Sequence, residues 1–321
     1  MKEFELIRQI QRETSVDFPS GFDHGVILGI GDDAAVLELP AGRQLVAATD
    51  TLNAGVHFPD DTSAFDIGYK CLAVNLSDLA AMGASPRWAL LSLSLPQAEA
   101  EWMQQFAAGF RSLAQTHAVA LVGGDTTRGP LSISLTLLGC IEPGRQLTRA
   151  GAKPGDLLVV SGTTGGAAWV LDMLKTGKPV SDRRMLDRPQ PRVRLGQSLQ
   201  GHASACIDIS DGLLADLGHV LEASGCGARL EIDNLPENHL LATLGEEQKR
   251  RLQLSGGDDY ELLFTLPPRY REWLGDLARQ LDIPLSIIGE MEQGAGVRCV
   301  TRDGASYHPR DSGFEHFSQN P

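Results

Sequence analysis

Acidic residues set among glycines and other small residues recur along this chain, and no other feature limits its possible folds as much. They stand in Gly-Ile-Gly-Asp-Asp-Ala-Ala-Val (29–36), Thr49-Asp50, Asn75-Leu-Ser-Asp78, Gly123-Gly-Asp-Thr-Thr127, Asp208-Ile-Ser-Asp-Gly212 and Gly256-Gly-Asp-Asp259. Glycine frees the backbone for tight turns. One such turn taken alone reads as a solvated hairpin. Their repetition predicts a chain that collects oxygen ligands for hard cations. Neighbours in an extended segment point to opposite faces, so Asp32 and Asp33 meet one ligand only if the turn twists them together.

The strongest acids by setting are Asp33, Asp50, Asp78, Asp125, Asp208 and Asp211. If they converge, each pair ~4 Å apart repels by about 4 kcal/mol at an effective dielectric of ~20. Several such pairs rival the ~5–15 kcal/mol that holds a domain together. The acids are therefore dispersed, or bound Mg²⁺ neutralises them. Mg²⁺ takes a few carboxylates together with waters and phosphate oxygens, a combination that suits phosphoryl transfer. No Walker A sequence occurs, so a P-loop kinase is not expected.

The charge balance agrees with a phosphate substrate but not with nucleic acid. Across 321 residues the net charge is −13, whereas non-specific nucleic-acid binding wants a basic face. Bound cations reverse the local sign for a small phosphate ligand. Cys71, Cys140, Cys206, Cys226 and Cys299 are scattered without C-x-x-C spacing, which predicts reduced, mostly buried thiols. The start, Met-Lys-Glu-Phe-Glu, lacks a signal-peptide pattern. No apolar run approaches the ~20 residues of a membrane helix, so a soluble, cytoplasmic protein without a membrane partner is expected.

Pattern and punctuation divide the chain into two domains, 1–142 and 143–321, at the turn signals Pro143-Gly144 and Lys153-Pro154-Gly155-Asp156. The first block is predicted as α+β. It has a short helix over 3–12 with Phe4, Ile7 and Ile10 on one face, and a strand over 27–39 broken by the Asp-Asp turn. A strand over 44–51, helices over 66–82 and 98–116, and strands over 88–95, 118–123 and 131–141 follow. Trp102, Phe106, Phe110 and Leu113 form the packing stripe of the second long helix. The second block alternates strand and helix as an α/β domain. Gly162-Thr-Thr-Gly-Gly166 reads as a strand-to-helix packing turn rather than a phosphate loop.

Four further residues invite a function. His57 follows Asp50 in a loop bounded by Gly55 and Pro59. Arg149 lies in the inter-domain segment, where a guanidinium can clamp a phosphate. Ser210 and Asp211 precede a helix, as caps or as part of an anion or metal site. Phe314 is an aromatic near the end of the chain, with ordinary packing as its plainer role.

Five stretches in order resemble the thiamine-monophosphate kinase family: Gly-Ile-Gly-Asp-Asp-Ala-Ala-Val (29–36), Ala-Val-Asn-Leu-Ser-Asp-Leu-Ala-Ala-Met-Gly-Ala (73–84), Gly-Gly-Asp-Thr-Thr-Arg-Gly (123–129), Ile-Asp-Ile-Ser-Asp-Gly-Leu (207–213) and Ser-Gly-Gly-Asp-Asp-Tyr-Glu-Leu (255–262). The resemblance runs nearly the whole chain. It implies an α+β N-terminal domain whose sheet pairs with a second subunit's in a homodimer, and a C-terminal α/β domain. It implies transfer from ATP to thiamine monophosphate, giving thiamine diphosphate with no covalent enzyme intermediate. By position, Asp33, Thr49, Asp50, Asp78, Asp125, Asp208 and Asp211 would hold Mg²⁺, with Asp32 assisting. Gly124, Asp125, Arg149 and Ser210 would hold ATP, and His57, Asp258 and Phe314 the thiamine phosphate. At Asp258 the family usually carries Glu, so that contact would be water-bridged or lost. A related enzyme of the wider aminoimidazole ribonucleotide synthetase superfamily, using ATP on a different acceptor, is the alternative.

Overall fold

The computed structural model describes residues 3–16, 24–311 and 313–314. The chain divides into two compact units, one formed by 1–79 with 84–145 and the other by 80–83 with 146–321.

The first unit holds α1 (Glu3–Glu13), β1 (Val26–Leu28), β2 (Val36–Leu37), β3 (Gln44–Asn53), most of α2 (Ala64–Ala81), β4 (Ser85–Leu95), α3 (Ala100–His117), β5 (Ala120–Arg128) and β6 (Ser132–Ile141). Its main sheet has the order β3-β6-β4-β5, parallel only between β4 and β5. Alternation sorts the side chains. Ile133, Leu135 and Leu137 of β6 and Leu91, Leu93 and Leu95 of β4 are buried on one face. On the other face Thr49, Thr51 and Ala47 of β3 are exposed, and Leu90 of β4 is 37% exposed.

Helices α2 and α3 cross where glycines remove the side chain. A Cβ on Gly68 would stand 2.0 Å from the Phe106 carbonyl oxygen, and one on Gly109 would stand 1.9 Å from that of Phe65. The expected stripe on α3 is the core one: Phe106, Phe110 and Leu113 are buried, and Trp102 stacks on Phe106 with ring centroids 5.3 Å apart. On α1, Ile10 is buried and Ile7 half-buried; the Phe4 side chain lies outside the described ones.

One boundary differs in a way that matters. The strand predicted to end at residue 123 continues as β5 to Arg128, so Gly124 and Asp125 lie on a strand at the sheet edge, with Asp125 in register with Ser92. Adjacent glycines weaken a strand's sequence signature, but parallel pairing to the apolar β4 supplies the backbone partners.

The second unit holds β7 (Leu157–Ser161), α4 (Gly166–Lys175), α5 (Arg184–Asp187), α6 (Val193–Leu199), β8 (Ala205–Asp208), α7 (Leu213–Ser224), β9 (Gly227–Glu231), α8 (Glu246–Ser255), β10 (Leu262–Leu266), α9 (Arg271–Leu281), β11 (Leu285–Glu292), β12 (Gly296–Val300) and β13 (Ser306–Tyr307). They build a seven-stranded sheet of order β13-β12-β9-β11-β7-β10-β8. Strand and helix alternate along the chain as expected, yet only β12 and β9 pair in parallel. The core runs from Leu158, Val160 and Ile207 on the sheet to Leu213, Leu217 and Val220 on α7. All five cysteines are free and buried. Among the described residues no helix is long and apolar enough to cross a membrane.

Candidate functional site

In the first unit the predicted residues fall into two groups. The first lines a cavity of about 840 Å³ that includes Asp32, Asp33, Gly123, Gly124 and Asp125. Helix α1 helps fix it, since Gln11 donates its side-chain amide to the Ile30 carbonyl at 3.1 Å. Asp32 and Asp33 do come to one cavity. The turn folds back so that the Asp33 N–H donates to Asp32 Oδ1 at 2.9 Å, and both side chains are exposed. Thr49 shares the open sheet face with Asp125. Its hydroxyl donates to the Leu135 carbonyl at 3.2 Å and lies 3.0 Å from the Thr136 hydroxyl.

The second group sits on the helix-covered face. Asp50 follows Thr49 and so points the other way. Its carboxyl shares a hydrogen bond with Asp78 of α2. Burial pushes the Asp50 carboxyl up, while Asp78 and the nearby His57 ring oppose the rise. Two carboxylates this close cannot both be ionised without a compensating cation or a shared proton. His57 is held from both ends. Its Nδ1 accepts the Asn53 N–H at 2.9 Å, which puts a neutral ring's proton on Nε2. Its carbonyl accepts from the ammonium of Lys70, a residue 1% exposed, at 3.0 Å. One turn before Asp78, the Asn75 Oδ1 is buried without a hydrogen-bond partner.

In the second unit one turn gathers the predicted residues. The backbone N–H groups of Ser210, Asp211 and Gly212 all donate to Asp216 Oδ2, at 3.0, 3.1 and 3.2 Å. Neither Ser210 nor Asp211 caps α7; its N-cap is Gly212, with no side-chain cap. Burial, then the charges of Asp208 and Asp211, push the Asp216 carboxyl up to about 7. The carbonyls of the same turn serve as three seats. Ile209 accepts from Tyr260 N–H at 2.8 Å, Ser210 from Asp258 N–H at 2.8 Å, and Asp211 from Phe314 N–H at 2.9 Å. Phe314 is thus fixed by its backbone while the residue remains 54% exposed. Arg149 is exposed, and its carbonyl accepts from the Ser224 hydroxyl at 3.1 Å.

The glycine-rich turn 162–166 is filled from within, as a packing turn should be. Gly165 N–H donates to Asp259 Oδ2 at 2.8 Å. A Cβ on Gly162 would lie 1.9 Å from Glu261 Oε1. Glu261 in turn is gripped by Arg192, with Nε at 2.7 Å and Nη2 at 2.5 Å, and by the Ser161 hydroxyl at 2.5 Å. Carboxylates therefore stand where a phosphate loop would need open N–H groups. Burial raises the Asp259 carboxyl well above the usual range, and the charges of Glu261 and Asp258 add to that.

Two family descriptions fit the chain: AIR synthase related protein, N-terminal domain, over residues 31–141, and its C-terminal domain over residues 153–301. Thiamine-monophosphate kinase of Escherichia coli K12 is 45% identical over 91% of this chain and 93% of its own length. That of Haemophilus influenzae is 40% identical over 100% and 99%. The chain belongs to the thiamine-monophosphate kinase family. The crystal structure of the kinase from Stenotrophomonas maltophilia K279a superposes with a TM-score of 0.86 at 48% identity, covering 96% of this chain and 98% of that one. A further structure, AaThiL complexed with AMPPCP and TMP, has a TM-score of 0.76 at 33% identity over 90% of this chain and 92% of its own.

Family membership accounts for the order of the acidic turns, and two of the residues that brace them, Asp259 and Glu261, lie within one of the stretches that carry the resemblance. Asp216, Arg192 and Lys70 are not marked by the sequence, and Asp259 stands there as one of the recurring acids without an assigned partner. For Asp216 a signal exists: an acid in the first turn of a helix faces the free N–H groups of the preceding turn. Asp259 meets Gly165, and Glu261 meets Arg192, from far away in the chain, so no local pattern announces those pairs. Among the described residues no three His, Cys, Asp or Glu side chains are arranged to hold a metal ion by themselves.

Proposed function

We propose that this chain transfers the terminal phosphoryl group of ATP to the phosphate of thiamine monophosphate, yielding ADP and thiamine diphosphate. The observation that carries this reading is the 33%-identical structure holding both AMPPCP and TMP, together with kinase relatives spanning more than nine-tenths of the chain. Transfer is direct and in line, without a covalent enzyme intermediate, so the protein's work is positioning and charge stabilisation. Gly124, Asp125, Arg149 and Ser210 bind ATP, while His57, Asp258 and Phe314 bind the thiamine phosphate. The exposed Phe314 ring suits a cationic thiazolium, which an aromatic face attracts.

In this reading Asp33, Thr49, Asp50, Asp78 and Asp125 of the first unit, and Asp208 and Asp211 of the second, would hold Mg²⁺. The donor set fits a hard cation: carboxylates and a hydroxyl, with no thiolate. The Asp50–Asp78 pair supports this, because once its shared proton leaves, the two carboxylates need a compensating cation. When bound, Mg²⁺ neutralises charge on the phosphates. The protein works as a homodimer in the cytoplasm. Ile27, Leu28, Val36, Leu45, Val56 and Leu90, all in the first unit, are large apolar side chains left exposed, and a second copy covering the open sheet face would bury part of that surface.

The test is ADP release from purified protein with ATP and Mg²⁺, with and without thiamine monophosphate, and with EDTA as control. Release that needs both the ester and the metal, with thiamine diphosphate as co-product, is expected. ATP binding without stimulation by thiamine monophosphate would assign the chain to another acceptor.

A further inference from the structure

Among the described residues, four other than glycine have positive φ: Ala118, Asp258, Tyr260 and Asp282. Ala118 and Asp282 follow the last turns of α3 and α9 as left-handed C-caps, an ordinary use of that conformation. Asp258 at φ +67° and Tyr260 at φ +51° cap nothing. For a bulky residue such as tyrosine this backbone is a costly outlier that the surroundings must enforce. They enforce it through the N–H groups of both residues, tied at 2.8 Å to the neighbouring carbonyls Ser210 and Ile209. The side chains then separate. Asp259 goes to the 162–166 turn at Gly165 and Glu261 to Arg192. The Tyr260 hydroxyl instead returns to donate to Asp258 Oδ1 at 2.9 Å. Tyr260 is 9% exposed, so its ring is anchored and its hydroxyl is a fixed point.

We infer that Tyr260 is a positioning residue for thiamine monophosphate: its hydroxyl fixes the rotamer of the Asp258 carboxylate, and the strained 258–260 backbone exists to bring the two together. This rests on the reading of Asp258 as a substrate contact. The inference explains how an aspartate serves there. A carboxylate one methylene shorter than glutamate has fewer rotamers to search, and a phenol that holds one oxygen removes most of the remaining freedom before the ligand arrives, which lowers the cost of binding. A hydrogen bond to a charged acceptor from a buried phenol is among the stronger neutral-to-ion contacts.

The experiment is steady-state kinetics of Tyr260→Phe, Asp258→Ala and the double variant, varying thiamine monophosphate and ATP separately, with thermal unfolding of each. Tyr260→Phe is expected to raise KM for thiamine monophosphate about fivefold, leaving kcat and KM for ATP within about twofold. Asp258→Ala should raise the same KM at least as much. Adding Tyr260→Phe to Asp258→Ala should change KM for thiamine monophosphate no further, because the effect of the hydroxyl on that substrate runs through the carboxylate. An unchanged KM in Tyr260→Phe, beside a raised one in Asp258→Ala, overturns the positioning role while the Asp258 contact stands. Equal rises in KM for ATP and for thiamine monophosphate, or additive effects in the double variant, also overturn it, since they mark a general structural role. An unchanged KM in Asp258→Ala removes the contact on which the inference rests. Absence of turnover with thiamine monophosphate in the unmodified protein refutes the kinase reading instead.

Discussion

Asp216 holds Asp211 in place through the backbone: its Oδ2 takes the Asp211 N–H at 3.1 Å, together with the N–H groups on either side. One buried carboxylate thus satisfies three donors of a turn that has no regular partner for them. Removing it leaves the buried Gly212 N–H and two half-buried N–H groups without their acceptor, at a cost of ~1–3 kcal/mol for the buried one and less for the others. Asp216→Ala is therefore expected to destabilise the protein by about 3 kcal/mol in denaturant unfolding. Asp216→Asn keeps a carbonyl oxygen in the same place and should cost less than half of that. Equal losses for the two variants would show that charge, not acceptance, is what matters there.

The Asp50–Asp78 pair predicts opposite signs for stability and activity. Asp78→Asn replaces a mutually repelling acid by a neutral amide that can still hydrogen-bond to Asp50. Thermal unfolding without metal should show no loss of stability, and a gain of up to ~1 kcal/mol. The same variant should lower kcat about a hundredfold, as loss of one preorganised charge-stabilising group does. Mg²⁺ should raise the unfolding temperature of the unmodified protein by more than that of the variant. Near-normal turnover at saturating Mg²⁺ would remove Asp78 from the metal ligands.

Burial separates two arginine–carboxylate pairs. Arg192 grips Glu261 with side-chain exposures of 17% and 8%, whereas Arg184 meets Asp182 at 76% and 47%. Breaking a buried pair leaves an uncompensated charge and costs ~3–5 kcal/mol, while an exposed pair is worth ~0–1 kcal/mol. Arg192→Met should therefore destabilise by about 3 kcal/mol in urea unfolding, whereas Arg184→Met should leave the unfolding curve unchanged. Similar values for the two would mean that Glu261 finds another partner.

What the sequence disclosed, and what it withheld, follows from the range of the interactions. The acidic turns were legible because glycine and aspartate carry their backbone and ligand preferences with them. The Phe106–Phe110–Leu113 stripe was legible because its period is intrinsic to a helix. Helix α8 was not: Glu-Glu-Gln-Lys-Arg-Arg-Leu-Gln-Leu-Ser has its apolar residues only at Leu252 and Leu254, too few to show a period. Asp125 falls beyond the strand predicted over 118–123, because the end of β5 gains its strand character from pairing to β4. That Thr49 and Asp50 serve opposite faces follows from alternation once β3 runs through both. That Asp50 then meets Asp78 depends on tertiary packing, which no local pattern encodes.

The buried cysteines give a prediction independent of the chemistry. Burial pushes the Cys71, Cys206 and Cys299 thiols up, the last to about 11, and only the thiolate reacts with disulfide reagents. At pH 8 the folded protein should label at these positions only as fast as it opens, whereas unfolded protein should label at all five cysteines at once. Rapid labelling of one thiol before unfolding would identify a segment that opens locally.

Phe314 carries the last prediction, because its backbone and its ring have separable jobs. The N–H is seated on the Asp211 carbonyl at 2.9 Å. The preceding stretch is tied down where the Ser255 hydroxyl donates to the Asp311 carbonyl at 2.6 Å. Between them Gly313, at φ +136°, passes so close that a Cβ there would lie 2.6 Å from the Ala215 Cβ. With the backbone fixed in this way, truncating the ring should not release the chain. Phe314→Ala is expected to leave stability and kcat nearly unchanged. It should raise KM for thiamine monophosphate about tenfold, the worth of ~1.4 kcal/mol of aromatic contact with a cationic ring. Gly313→Ala attacks the other job: it forces the strap off its seat, so it should raise the same KM although the ring is intact. If Gly313→Ala raises that KM and Phe314→Ala does not, the strap rather than the aromatic ring is what the substrate requires.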